Sequence, residues 1–185
     1  MDVSNTVDVS DPERVADAVT DILVALYPGF DLSPLTVLFR DFRRLYSGSY
    51  PGYRACDVRY HNAQHVLDVT LAMARLLDGY ERGCSPGEGL GAKMALTGIA
   101  AALFHDSGYI RRTHDSRHKN GAAYTRVHVT RGIRFVSDYL PRVGLDYMVG
   151  PCSRIMHFTG YEVDPREVMV ANEQEHLLGK LLGTA

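Results

Sequence analysis

Met94-Ala-Leu-Thr-Gly-Ile-Ala-Ala-Ala-Leu-Phe104, followed at once by His105-Asp106, is the stretch whose reading decides the fold. From Met94 to Phe104 the residues are apolar or small on every side, with no polar stripe at a period of 3.6. A helix of that kind is buried all round. Ser107-Gly108 follows, a helix-ending pair. The sequence therefore places an imidazole and a carboxylate at the inner tip of a core helix. Such groups are costly to bury without partners, and a metal ion is one partner that suits both.

A second stretch supplies further polar groups. Tyr60-His61-Asn62-Ala63-Gln64-His65-Val66-Leu67-Asp68-Val69 reads as the mouth of another helix. Asn62 is its cap, and Val66, Leu67, Val69, Ala72, Met73, Leu76 and Leu77 form its apolar face. His61 then lies at the helix entrance. His65 is one turn further in, and Asp68 is its neighbour on the same face.

Together the two motifs resemble those of the HD superfamily of metal-dependent phosphohydrolases. They are closest to its cyclic-nucleotide phosphodiesterase branch and the bacterial relatives of that branch. The resemblance covers roughly residues 35–185. It implies a compact, single-domain, all-α fold with His65, His105 and Asp106 as ligands of a divalent metal. His61 takes the place of the general acid that protonates a leaving oxygen. Asp68 is expected to support a ligand histidine or a metal-bound water. Members with two metals carry further histidines on the next two helices, and His128 and His157 fall in that order. The family's last ligand is an aspartate after a stretch resembling Leu178-Gly-Lys-Leu-Leu-Gly-Thr-Ala185. The sequence ends where that aspartate would come, so the helical core is expected to be cut short at its C-terminal end.

The donor types suit Fe, Mn, Co, Ni or Zn, with Mg favoured only by more carboxylates. The implied activity is hydrolysis of a small phosphorylated substrate, a phosphoester such as a nucleotide or cyclic nucleotide, by metal-activated water. The alternative is a catalytically impaired HD-like module that binds a ligand or regulates. Residues 111–120 are mainly basic, and Arg111, Arg112 and Lys119 are expected to steer phosphate toward the metal.

Composition bounds the other classes. At 185 residues the chain suits one domain with one good core. A net charge of −2 with mixed signs argues against an obligate binder of nucleic-acid duplexes or membranes. Cys56, Cys84 and Cys152 are scattered and form no C-x-x-C pair, so a reducing cytoplasm is the expected setting. The acidic N-terminus lacks the basic region of a secretory signal. Oligomeric state leaves no mark on the sequence.

Local signals predict the remaining helices. Residues 1–10 read as a mobile polar lead-in, with the domain running over residues 11–185. Asp11-Pro12-Glu13 and Ser33-Pro34 start helices, and Pro28-Gly29 ends the first. The His61 helix is expected to end near Gly79. Residues 121–140 read as one helix stopped by Pro141, and residues 151–158 as a shorter one. Asp164-Pro165-Arg166-Glu167 repeats the start signal and predicts a last helix that carries Val168 and Val170 as well as Leu177, Leu178, Leu181 and Leu182. Alternating β-branched runs are few.

Overall fold

A computed structural model describes residues 1–2, 5–85 and 87–185, and its regular elements are all helical. They are α1 (Pro12–Leu26), α2 (Ser33–Ser47), α3 (Ala63–Gly83), α4 (Ala92–Phe104), α5 (His128–Tyr139), α6 (Val149–Ile155) and α7 (Glu173–Thr184), joined by loops and short 3-10 turns. The one bridge between extended residues pairs Tyr53 with Arg112 among the described residues.

The start signals act as read. The Asp11 carboxylate accepts from Glu13 N at 2.8 Å, with Pro12 opening α1. The Asn62 side chain accepts from His65 N at 3.1 Å and opens α3. Every residue of α4 from Ala95 to Phe104 is buried. It is the axis of the molecule: α2, α3, α6 and α7 pack around it. Its Ala and Gly positions let these neighbours approach closely. A Cβ on Gly98 would lie 2.6 Å from the Met73 methyl of α3 and 2.9 Å from Leu178 of α7. One hydrophobic cluster runs from Val9 to Leu182 through all seven helices.

Several sequence expectations differ from the structure, among them the helix expected over residues 151–158, which is α6 from Val149 to Ile155 followed by a 3-10 turn, Met156–Thr159. α3 continues past Gly79 to Gly83, where Arg82 holds Asp78 across one turn at 2.7 Å. Residues 121–140 are not one helix. A 3-10 turn, Gly121–Tyr124, precedes α5, because the chain must bring Gly121 N within 2.7 Å of the Asp57 carboxylate. The Asp164-Pro165 signal starts no helix. Asp164 instead accepts from Arg166 N at 2.9 Å in a local turn, and Val168 and Val170 lie outside the helix. The last helix opens at Glu173, because Asn172 caps it through Glu175 N at 2.9 Å. Finally, the described part of the N-terminal stretch is tied to the body. Val9 is buried in the core, and Asp2 pairs with Arg75 of α3 at 2.6 Å. Its apolar Val7 and Val9, hidden among polar residues, outweigh the polar reading. No helix of the described residues is long and apolar enough to cross a membrane.

Candidate metal centre

The inner tip of α4 meets the mouth of α3 and the first turn of α5. His105 closes α4, and Asp106 follows it into a 3-10 turn, Ser107–Tyr109. α3 supplies His65 from its first turn, and His61 lies just ahead of the Asn62 cap. α5 begins with His128. The turn after Asp106 can press against α5 because Gly108 lacks a side chain. A Cβ there would meet the His128 carbonyl oxygen at 1.8 Å and Gly132 N at 2.8 Å.

Four imidazoles surround the Asp106 carboxylate, which is only 1% exposed. Oδ2 lies 2.8 Å from His61 Nδ1, 3.5 Å from His65 Nε2 and 3.3 Å from His105 Nε2. Oδ1 lies 3.8 Å from His128 Nε2. Burial alone would raise the Asp106 carboxyl. The neighbouring His105 and His61 overcome that and hold it well below the usual carboxylate range. Burial would lower His105, but the adjoining Asp106 charge pushes it up. Burial and the nearby His105 lower His65.

The tautomers matter more than the charges. His105 Nδ1 lies 2.8 Å from the Ala102 carbonyl, and His128 Nδ1 lies 2.8 Å from the Thr125 carbonyl. Each carbonyl can only accept, so each Nδ1 must carry the proton and donate it. In the neutral rings, both Nε2 lone pairs are then directed to a carboxylate that itself has only lone pairs. Acceptors facing acceptors in a buried site call for a cation or protons between them. Backbone-fixed Nδ1–H with Nε2 free is the arrangement by which metal-binding histidines are oriented.

The donor set fits a divalent first-row ion. Ligand atoms of His61, His65 and Asp106 all lie within 4.8 Å of one another. Two ligands at about 2.1 Å from one ion are separated by at most about 4.2 Å, so side-chain shifts of a few tenths of an ångström close the site. His105 lies outside that grouping of three; its ring centroid is 5.7 Å from that of His65, and its Nε2 is 3.3 Å from the Asp106 carboxylate.

Other residues singled out from the sequence fall elsewhere. Asp68 is exposed on α3 and makes no hydrogen bond to a site histidine among the described residues. His157, on the 3-10 turn Met156–Thr159, has a buried Nδ1 without a hydrogen-bond partner and no ion pair to the cluster among the described residues. Of the pair read for a second metal, the structure brings in His128 alone. Arg111 is held by Asp57 at 2.7 Å and by the His118 carbonyl at 2.8 Å. Arg112 lies over the Tyr53 ring on another face, and Lys119 is exposed. None of these three lines the recess beside the histidines.

Two residues that the sequence did not signal shape the site. The buried Tyr109 ring stacks on both His61, at 4.4 Å, and His128, at 4.5 Å between centroids. Glu162 caps α5 from a distant loop, accepting from Val129 N at 2.7 Å and from Thr130 N at 3.1 Å. It thereby fixes the turn that carries His128. Tyr109 sits near enough to the His-Asp pair that a spacing argument had access to it; Glu162 had no local signal.

A recess of about 320 Å3 opens beside the cluster, lined by His65, His105, Val69, Phe158, Tyr161 and Leu182 among others. α7 brings Ala185 to its rim. Another cleft, of about 370 Å3, lies between α1 and α2 and is lined by Glu13, Asp17, Arg40 and Arg43 with no histidine. Volume alone therefore does not single out a candidate site; the convergence of buried polar groups does. No family model, curated protein or solved structure matches the chain, so the reading of this centre rests on its own residues.

Proposed function

We propose that the protein is a metal-dependent phosphohydrolase of the HD type. The observation that carries the reading is the single buried Asp106 ringed by imidazoles, two with their Nδ1 protons tied to backbone carbonyls. His65, His105 and Asp106 would hold the ion, with His128 next to the same carboxylate. When bound, a divalent ion lowers the pKa of a coordinated water and offsets charge on phosphoryl oxygens.

The remaining work belongs to the chain. His61 donates from Nδ1 to Asp106, which orients the ring and leaves Nε2 as the nitrogen free to act on a substrate. When protonated, that nitrogen hands a proton to the leaving oxygen. Tyr109 stacking limits rotation of the His61 ring. The adjoining recess, at about 320 Å3, is at the lower end of the range for small-molecule pockets and has room for a nucleotide-sized phosphoester. Its apolar walls, Phe158 and Leu182, suit the non-phosphate part of such a ligand.

The test is metal content together with hydrolysis of a phosphoester panel. His105→Ala is expected to lose metal and turnover together. His61→Ala is expected to keep the metal but slow alkyl phosphodiesters more than p-nitrophenyl ones, because a basic leaving oxygen depends most on a general acid. Equal slowing of both would sink the acid role. A metal-loaded protein that hydrolyses no phosphoester would sink the enzyme reading.

A further inference from the structure

The arginines divide into two populations. Arg40 and Arg44 hold Asp41, Arg43 holds Glu13, Arg82 holds Asp78, Arg111 holds Asp57 and Arg154 holds Glu175. By contrast nine arginines have no carboxylate within 4.0 Å among the described residues, and Arg112, Arg131, Arg134 and Arg142 are four of them. These four gather on one face, around two adjoining recesses that share Tyr53, Arg112 and Phe135 as walls. Asp138 is the one acid that lines either recess among the described residues.

The larger recess holds about 160 Å3 and is lined by Arg112, Arg131 and Arg134 together with Tyr53, Phe135 and the backbone turn at Ser107 and Gly108. Two of its cations are pre-oriented. The Arg112 guanidinium sits 4.1 Å over the Tyr53 ring, itself nearly buried. Arg131 sits 3.5 Å over Tyr124 and donates from Nε to the Gly108 carbonyl at 2.7 Å and from Nη2 to the Ile110 carbonyl at 3.1 Å. Stacking and carbonyl contacts fix the planes of both groups without neutralising their charge. Burial works against the Arg131 charge, which the half-buried site nevertheless keeps.

We propose that this arginine recess is an anion site for a small tetrahedral oxyanion, inorganic phosphate or the phosphate group of a phosphomonoester. Fixed guanidinium planes present forked donors that match such an anion. The volume, well below the several hundred Å3 of a pocket for a drug-sized ligand, admits a phosphate group and excludes a whole nucleotide. The site stands apart from the metal reading. Its lining takes in Ser107 and Gly108 of the turn that follows Asp106, but neither Asp106 nor a histidine, so an anion here contacts the turn without touching a histidine.

The experiment is calorimetric titration of the full chain with inorganic phosphate in the presence of a chelator, at constant ionic strength set with chloride. Glycerol phosphate is titrated in parallel. Saturable one-to-one binding is expected, unchanged in His65→Ala and weakened at least about tenfold in Arg112→Gln/Arg134→Gln. Arg134 is exposed on α5, so Arg134→Glu alone must also weaken binding while leaving the phosphate-free melting temperature in place. Tighter binding of glycerol phosphate would assign the site to phosphomonoesters, and tighter binding of phosphate to the free ion. Absence of saturable binding, or binding that survives both arginine variants, overturns the proposal.

Discussion

Asp41 and Asp106 are both aspartates buried where helices meet, yet they are built for different ends. Asp41, on α2, is held by Arg40 at 2.9 Å, Arg44 at 3.2 Å and the Tyr139 hydroxyl at 3.2 Å. Asp106 has no arginine partner among the described residues, only histidines. A guanidinium keeps its charge and has no lone pair to offer, so the Asp41 cluster is locked and joins α2 to α5. An imidazole can release its proton and present a lone pair, so the Asp106 cluster is exchangeable. Burial and residue type are nearly the same in the two regions; the partner decides which is locked and which can exchange a proton.

The largest expected effect separates the two directly. Asp106→Ala is expected to abolish metal binding while Asp41→Ala leaves metal stoichiometry unchanged, measured by elemental analysis after reconstitution. Loss of metal in both would mean that the Asp41 cluster is not independent of the centre. Asp41→Ala should instead lower unfolding free energy by about 2–3 kcal/mol, the scale of hydrogen bonds to a charged group.

Next comes Gly108→Ala, which forces a methyl group against the His128 carbonyl. A cost of about 3 kcal/mol in urea unfolding is expected, at the upper end for overpacking. A neutral outcome would show that the turn can move away from α5, and that His128 is not held at its present distance. Metal itself should stabilise by about 2.7 kcal/mol at a hundred times its dissociation constant, read as a higher melting temperature. That gain should vanish in His105→Ala and persist in Asp41→Ala.

The smallest effect is in the pH dependence of the locked type of cluster. Arg154 donates to both oxygens of Glu175 at 2.6 Å and, with the Ala171 N–H, holds its carboxyl below the ordinary range against burial. The unfolded chain takes up this proton near pH 4.3 and the folded one lower. The stabilisation is therefore complete above that pH and lost as pH falls through the folded value. Glu175→Gln should flatten the decline of stability between about pH 5 and 3 and cost about 2 kcal/mol at neutral pH. An unchanged acid limb would show that other carboxylates control it.

The sequence disclosed the parts of the molecule that depend on near neighbours. The unbroken apolar run before His105 told that α4 is central, and Asn62 told where α3 begins, because both are local patterns. The meeting of His65, His105 and Asp106 followed from two motifs at the ends of apolar helices. Glu162 and the arginine recess were hidden, since their partners come from distant loops and nothing in spacing reports that. Asp164-Pro165 misled for a different reason. Its carboxylate is taken by Arg166 in a local turn, and the helix that follows starts only at the Asn172 cap.

The order of elements around Asp106 has a kinetic consequence. His61 and Asp106 are 45 residues apart, and His128 arrives only after the loop beyond them is closed. α3 and α4 are sequential and share the largest helix–helix interface, which suits an early folding nucleus. The four imidazoles come together only when α5 has docked against the Gly108 turn. The full ring of four belongs to the finished state, whereas the residues proposed to hold the ion, His65, His105 and Asp106, come from α3 and the end of α4, within the nucleus. Binding by those three should thus appear mainly as faster refolding with a nearly unaltered unfolding rate, making the metal an aid to entry into the native state.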